Sequence, residues 1–432
     1  PIEMPTKVNL ITLGCSKNLV DSEQLAGLLG SDYEVCFDCE KGRFDIVIIN
    51  TCGFIGDAKE ESIDMILQYA ALRKQRKIKL LLVFGCLVQR YADDLSREIP
   101  EVDKFFGVND YKKIAEYILQ KNIAKNDCLR LLSTPSHYAY LKISEGCDKF
   151  CSFCAIPYIR GRHVSEPMES IIAQAKELAR KGVKELIVVA QDTTNYGVDL
   201  YGECRLTSLL EQLAKIEGIE WIRLQYSYPN NFPMDLLDLM QREPKICKYI
   251  DMPLQHIDNS ILDSMNRRIT KEEIMDLIGR LRQKVPHLCL RTTLIVGYPN
   301  ETEEQFVALE DFVAQTKFDR MGAFTYSPEE GTAAFKLEDN VSEEEKNERL
   351  NRLVDIQQAI SLSLNQAKVG KVFKVLIDRL EGDFWVGRTE FDSPEVDNEV
   401  LIPANQEAQV GCFVNAKITA AEEFDLYADI VN

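Results

Sequence analysis

The sequence predicts an α/β protein in three parts. These are an N-terminal parallel-sheet α/β domain, an incomplete parallel (β/α)6 barrel and a small C-terminal five-stranded β-barrel. Three observations lead there. Over the first 130 residues, continuous Val, Ile and Leu runs alternate with helical patterning, which is how a parallel sheet covered on both faces reads. The alternation restarts after a polar, proline-containing stretch at 122–138 and repeats six times. Beyond Gly370 it gives way to short strands broken by Gly, Pro and Asn turns. A length of 432 residues suits this division, at roughly 150 residues per domain.

In order, strands are expected at 8–13, 46–50 and 79–84, each followed by a helix, at 18–29, 58–74 and 89–97. A further helix is expected at 111–120. These make a domain over 1–130. A barrel over 131–340 takes strands at 140–144, 185–190, 221–226, 249–252, 289–296 and 322–326. The helices between them are expected at 170–180, 206–216, 234–242, 271–284 and 303–315. In such a barrel the working residues sit at the C-terminal strand ends. A connecting helix over 341–369 starts at Ser342-Glu-Glu-Glu, a capping-box pattern. The last part, 370–432, takes strands at 371–380, 385–389, 399–402, 413–419 and 427–431, an OB-like barrel.

Composition narrows the function. Lys plus Arg is 51 and Asp plus Glu is 69, a formal net charge of −18. That argues against general coating of nucleic acid and is compatible with a basic partner. From Gly370 onward five Lys or Arg face thirteen Asp or Glu, a net −8. Such a barrel would repel RNA and suits a basic polypeptide; the alternative is a merely solvated acidic face. No apolar run approaches the ~18 residues of a membrane span, and the opening residues lack a signal-peptide pattern, so a cytoplasmic protein is expected. In that compartment thirteen cysteines point to metal or redox chemistry rather than a disulfide framework.

The sharpest signal is Glu145-Gly-Cys147-Asp-Lys-Phe-Cys151-Ser-Phe-Cys154, just after the first barrel strand. Three closely spaced thiolates can wrap one cubane cluster and leave one iron open for a ligand. A zinc site or coincidental core cysteines are the other readings. A second set is dispersed: Cys15, Cys52 and Cys86 each follow a strand of the first domain. Parallel strands open their C-terminal ends on one edge, so these three should converge there, facing the barrel mouth. Each has a glycine beside it, which lets backbone approach a bulky group. Cys36-Phe-Asp-Cys39 is a lone CxxC, open to redox or zinc readings. Cys128, Cys204, Cys247, Cys289 and Cys412 stand alone, with Cys289 and Cys412 expected in the core.

Cys-x3-Cys-x2-Cys with an aromatic residue before the last cysteine resembles the radical S-adenosylmethionine superfamily. The resemblance implies that Cys147, Cys151 and Cys154 hold a [4Fe–4S] cluster. Its open iron binds S-adenosylmethionine, which one electron cleaves to a 5′-deoxyadenosyl radical. The three parts together resemble the methylthiotransferase family over essentially the whole chain. That implies a second [4Fe–4S] cluster on Cys15, Cys52 and Cys86, and a C-terminal TRAM barrel that engages substrate. One branch of the family modifies a tRNA adenosine and the other an aspartate of ribosomal protein S-twelve. Leu13-Gly-Cys-Ser-Lys-Asn-Leu-Val-Asp-Ser-Glu23, Lys142-Ile-Ser-Glu-Gly-Cys-Asp and Cys151-Ser-Phe-Cys-Ala-Ile-Pro157 look like the protein branch. The tRNA branch typically has Gly-Cys-Gln-Met-Asn at the first of these. Arg160-Gly-Arg continues the shared pattern.

The resemblance implies 3-methylthioaspartate formation, with tRNA adenosine methylthiolation as the alternative. S-adenosylmethionine then serves both as radical source and as methyl donor. Expected partners are the basic ribosomal protein or the small ribosomal subunit, a flavodoxin-like or ferredoxin-like electron donor and a sulfide source. Thr293-Leu-Ile-Val-Gly297-Tyr-Pro-Asn-Glu301 resembles the superfamily's adenine-contact segment, with Ile295 and Gly297 at the adenine; Asn300 stands where Gly is common. Gln191 occupies the place that holds the methionine amino group. Gln255 and His256 are candidates for the ribose, with a structural role the alternative for His256. Arg291 is expected to point inward, either to the substrate carboxylate or into an internal ion pair.

Overall fold

A computed structural model of the chain describes residues 5–124 and 129–432. Cys128 and the neighbouring part of the expected linker lie outside the described residues. The first sheet contains β1 (Thr6–Thr12), β2 (Tyr33–Phe37), β3 (Ile46–Thr51), β4 (Leu80–Gly85) and β5 (Lys104–Phe105). Its order is β2-β1-β3-β4-β5 and every pairing is parallel. Its helices are α1 (Ser16–Leu29), α2 (Gly56–Lys74), α3 (Cys86–Glu98) and α4 (Tyr111–Leu119). Strand alternation sorts the two faces. Ile11, Val47, Ile49, Leu81 and Val83 pack with α2 and α3. Val8, Leu10, Ile48, Leu82 and Phe84 pack with α1 and α4. β2 and β5 were not expected. β2 is a half-exposed edge without a buried apolar run, and β5 is two residues long. α3 starts on Cys86 itself, earlier than the expected residue 89.

The second part opens with β6 (Tyr138–Lys142). A short antiparallel ladder, β7 (Ser144–Glu145) with β8 (Val164–Ser165), follows at its C-terminal end. Then come β9 (Glu185–Val189), β10 (Trp221–Leu224), β11 (Tyr249–Asp251), β12 (Cys289–Val296) and β13 (Arg320–Thr325). β10-β9-β6 and β11-β12-β13 form two parallel ladders. Main-chain bonds join them at Ile222, whose N–H donates to Lys245 O (2.8 Å) and whose O accepts from Cys247 N–H (2.9 Å). The result is an open half-barrel. The helices around it are α5 (Ile156–Arg160), α6 (Met168–Arg180), α7 (Val198–Tyr201), α8 (Leu206–Ala214), α9 (Asp235–Arg242), α10 (Asn259–Ser264), α11 (Lys271–Lys284) and α12 (Glu303–Thr316).

Ala139, Leu141, Leu186 and Val188 face the outer helices. Tyr138, Tyr140, Ile187 and Val189 face inward, onto Leu19 and Val20 of α1. Helix α1 of the first domain therefore lies against the concave face. Residues 129–137 are not a free linker: Arg130 pairs with Glu23 (2.7 Å), and Ser133 N–H donates to the same carboxylate (2.9 Å).

α13 (Glu343–Gln366) begins at the expected capping box of Ser342 and Glu345. The chain ends in a closed barrel of β14 (Val372–Glu381), β15 (Phe384–Arg388), β16 (Glu399–Pro403), β17 (Phe413–Ala421) and β18 (Asp425–Ile430), in the order β14-β15-β16-β18-β17. Val375, Ile377, Val400, Ile402, Ile418 and Leu426 fill it. This barrel caps the N-terminal ends of the half-barrel strands. Arg388 pairs there with Glu185 (2.6 Å), Asp392 with Arg320 (2.6 Å) and Asp397 with Arg291 (2.7 Å). Part of its acidity is thus internal, while Glu381, Glu395, Glu422 and Glu423 are exposed.

Candidate active site

Cys147, Cys151 and Cys154 lie in the loop between β7 and α5, beyond the C-terminal end of β6. The loop is held from two sides. Cys147 N–H donates to Gly161 O (3.1 Å) and Ser152 N–H to Met265 O (2.9 Å). Asn266 Nδ2 donates to Phe150 O (3.0 Å), beside the left-handed φ of +51° at Phe150. Gly146 has φ +80°, and a Cβ there would stand 2.1 Å from Arg162 O; glycine alone meets both demands. The three thiols are close enough to act on one another's ionisation. Burial pushes Cys147 up to about 12 and Cys154 well above the ordinary thiol range. Arg267 Nη1 lies 3.3 Å from Cys151 Sγ.

The dispersed trio also comes together. Cys15 caps the N-terminus of α1, Cys52 follows β3 and Cys86 begins α3. At Gly14 (φ +90°) a Cβ would lie 2.9 Å from Cys52 Cβ, so the strand-end glycine makes room for the neighbouring cysteine. Burial raises Cys52, and raises Cys86 to about 11. Burial acts the same way on Cys15, but the Lys17 ammonium and the Arg160 guanidinium outweigh it and lower that thiol.

Asn18 ties the trio's shell together. Its Nδ2 donates to Leu13 O (2.8 Å) and Thr51 O (3.2 Å), and its Oδ1 accepts from Arg160. Arg160 ends α5, the helix that leaves the first cysteine loop, and also binds Glu145 Oε1 (2.7 Å). Burial opposes ionisation of Glu145, but Lys142 and Arg160 dominate and hold it at about 2. One buried guanidinium therefore links the shell of the dispersed trio to Glu145, at the start of the cysteine loop.

Both donor sets are thiols alone, and soft thiolates suit iron–sulfur clusters. Among the described residues no three His, Cys, Asp or Glu side chains converge on a single ion; a cubane spaces its ligand sulfurs more widely. Buried amide atoms without partners, Gln191 Nε2 and Gln255 Oε1, fit a polar ligand at the same strand ends. The residues present thus fit two clusters and a polar cofactor. Cys36, in β2, forms a disulfide with Cys39. Cys247 and Cys289 are buried, Cys204 is exposed, and Cys412, expected in the core, is half-exposed in a turn.

Gln191 follows β9, and its Oε1 accepts from Gly146 N–H (3.0 Å). Its Nε2 has no partner, and its Oε1 keeps a second lone pair, so it can meet a carboxylate oxygen or the expected amino group. Gln255 (φ +73°) is bonded through backbone to Ile295 and Thr293, so Gln255 and Ile295 are neighbours. Gly297 lies under Lys346 of α13, where a Cβ would meet Lys346 Cγ at 2.3 Å.

His256 is fully buried, and both ring nitrogens are engaged. Nδ1 accepts from Asp258 N–H (3.1 Å) and Nε2 meets Glu301 Oε2 (2.7 Å). The structural reading of His256 is the one these bonds describe. Arg291 does point inward, as strand alternation required, but near the base of the barrel. Its Nη1 binds Asp397 (2.7 Å), and Nε lies 3.7 Å from Asp251. The internal ion pair replaces the substrate-carboxylate expectation for Arg291, because Asp397 of the docked β-barrel already holds its guanidinium.

Sequence reasoning passed over Lys17, Asn18 and Arg267. A signal existed for the first two. α1 buries Lys17, Asn18, Asp21, Ser22 and Glu23 together with its apolar residues, so it carries no simple apolar stripe. A helix polar on its buried faces is packed against partners it must bond. One hollow on the helical exterior, about 470 Å3 and lined by residues such as Lys176, Arg180 and Glu217, lies away from these strand ends.

A half-barrel with three cysteines at its first strand end, a second cysteine trio beside it and a closed C-terminal barrel define a class: a radical S-adenosylmethionine enzyme with two added domains. Family models agree part by part. Residues 7–107 match the Uncharacterized protein family UPF0004, 141–313 the Radical SAM superfamily and 369–431 the TRAM domain. The ribosomal protein uS12 methylthiotransferase RimO of Phocaeicola vulgatus is 52% identical over 98% of this chain and 99% of that protein. The RimO of Flavobacterium johnsoniae is 54% identical over 98% of each. The chain belongs to the RimO methylthiotransferase family. In fold it is similar to the radical S-adenosylmethionine methyltransferase TsrM from Kitasatospora setae, at TM-score 0.54 and 13% identity, covering 75% of this chain and 74% of that one.

Proposed function

We propose that this chain converts an aspartate of the small-subunit ribosomal protein uS12 to 3-methylthioaspartate. Cys147, Cys151 and Cys154 would hold one [4Fe–4S] cluster, and Cys15, Cys52 and Cys86 a second. Gln191, Gln255 and Ile295 line the S-adenosylmethionine site. When bound, these groups supply hydrogen abstraction at an unactivated carbon, the sulfur and the methyl group. The observation that carries the reading is the pair of thiol sites joined by one guanidinium. Arg160 bonds Asn18 in the shell of the dispersed trio and Glu145, two residues before Cys147, so a substrate held there would be within reach of both sites.

The residues otherwise act by positioning. Lys142, Glu145, Asp21 and Arg160 form a buried charge network that fixes the two domains against each other. α1 covers the β6 and β9 side of the concave face. A flavodoxin-like or ferredoxin-like protein supplies electrons, a sulfide source supplies sulfur, and a ribosomal substrate implies the cytoplasm. Among the described residues no helix is long and apolar enough to cross a membrane.

The reading is supported by relatives whose names specify uS12 and by the protein-branch wording of residues 13–23. The test offers purified uS12 and bulk tRNA to the anaerobically reconstituted chain with S-adenosylmethionine and a reductant, followed by mass spectrometry of both. A methylthio addition on a uS12 aspartate is expected. Methylthiolated tRNA beside unchanged uS12 would overturn the reading.

A further inference from the structure

The proposed substrate side chain is a carboxylate, and resting Arg291 is already paired. Something else must receive it. Every other buried Lys or Arg in the described residues has a carboxylate within 4.0 Å, except Lys17 and Arg267. Arg267 is taken up locally: it donates to Cys151 Sγ and Pro253 O and lies over the Tyr228 ring. Lys17 is different. It is 6% exposed, has no carboxylate within 4.0 Å, and rests on the face of Tyr226, 3.5 Å from the ring centroid, where the Cys15 thiol is the group that acts on it most strongly. A buried ammonium without a carboxylate partner is costly, and an incoming carboxylate would offset that cost.

Its position fits that ligand. Lys17 stands two residues beyond Cys15 on α1, the helix lying on the concave face of the half-barrel. Tyr226 follows β10 with φ +58°, a strained conformation held by Asp251 Oδ2, which accepts from Tyr226 N–H (3.0 Å). Asp251 Oδ1 is directed to Arg291, so neither oxygen is committed to Lys17. The inward residues Arg291, Thr293 and Ile295 of β12 are each partly accessible, so the concave face is not filled by side chains. The ammonium thus projects between the dispersed cysteine trio and the open interior.

Resting on the function proposed above, we infer that Lys17 binds the carboxylate of the substrate aspartate and sets the preference for aspartate over its neutral isostere. The Tyr226 face positions the ammonium, and a charge-assisted bond from Nζ holds the side chain whose neighbouring carbon reacts. Lys17 is a specificity residue on this assignment. A role limited to offsetting cluster charge through Cys15 would predict something different.

The experiment measures equilibrium binding of purified uS12, and of uS12 with the target aspartate replaced by asparagine, to the reconstituted full chain. Wild type should prefer the aspartate form by about 10- to 100-fold, the worth of one charged hydrogen bond. In Lys17→Met that ratio should fall to about one, with affinity for the asparagine form unchanged; Lys17→Arg should recover part of it. Lys17→Gln serves as a second neutral variant, and iron content with thermal melting shows that each variant is intact. If wild type neither binds nor modifies uS12, the proposed function fails. If wild type modifies uS12 and the neutral variants keep the aspartate preference, the Lys17 assignment fails. Loss of iron with the preference retained overturns it in favour of cluster charge.

Discussion

Replacing Asn18 by alanine tests whether the dispersed cysteines form one site. Besides a weak bond accepted from Cys86 Sγ (3.9 Å), the side chain makes two neutral bonds, to Leu13 O (2.8 Å) and Thr51 O (3.2 Å), and one to the Arg160 guanidinium. Neutral bonds contribute about 1 kcal/mol each and a charged one about 1.5–3, so their loss costs about 3.5–5 kcal/mol. Alanine's better helix propensity in α1 returns about 0.5 kcal/mol. The net destabilisation, about 3–4.5 kcal/mol, falls on the strand ends that carry Cys15 and Cys52. Arg160 is left with its pairing to Glu145 and Asp21. Anaerobic reconstitution with iron and sulfide analysis reads the outcome. Iron should drop from about eight to about four per chain, with the Cys147 site still loaded and still cleaving S-adenosylmethionine. Asn18→Asp keeps the acceptor for Arg160, loses the two donors, and should fall between. Full iron content and unchanged melting in Asn18→Ala would refute the reasoning.

The converse loss should follow Gly146→Ala, whose Cβ would stand 2.1 Å from Arg162 O at a φ of +80°; it should load about four irons, on the dispersed trio, and show no reductive cleavage of S-adenosylmethionine. Glu185→Gln removes the carboxylate between Arg223 (2.9 Å) and Arg388 (2.6 Å). That should destabilise the seat of the C-terminal barrel by about 3–5 kcal/mol, read as faster amide exchange in β9, β10 and β15. The same junction should respond to acid. Burial opposes ionisation of Glu185, Asp378 and Asp392, but Arg388, Arg223 and Arg320 outweigh it and hold all three below their ordinary values. Folded values below unfolded ones mean that the stabilisation is complete above about pH 4.5 and is lost as pH falls further. Melting temperature should therefore decline steeply between about pH 4.5 and 3, and less so in Glu185→Gln; a flat profile would contradict it.

Much of the architecture was legible because burial on both faces leaves a mark. β3, β4, β9 and β12 are buried or alternating runs, and Ser342 carries its capping partner three residues on. β2 was missed because an edge strand needs no such run. The dispersed cysteines were legible through topology: parallel strands share one open edge, so three strand-end thiols had to meet. The side-chain roles at Arg291 and His256 were not legible. Strand alternation said that Arg291 points inward, yet its partner Asp397 lies more than a hundred positions away in a barrel whose docking face nothing local specifies. His256 likewise met Glu301 through the packing of β11's end against the β12 turn.

By itself, then, the sequence determined the three-part fold, the cysteine loop at 147–154 and the convergence of Cys15, Cys52 and Cys86. Each follows from periodicity, spacing or strand order, which are properties of the chain. Only the tertiary structure decided which buried charges are already paired. It gave Arg291 and Arg320 to the C-terminal barrel, set Arg160 between Glu145 and the shell of the dispersed cysteines, and left Lys17 on Tyr226 without a carboxylate. Charge partners are chosen by proximity in a low-dielectric interior, and that proximity exists only once the domains have packed.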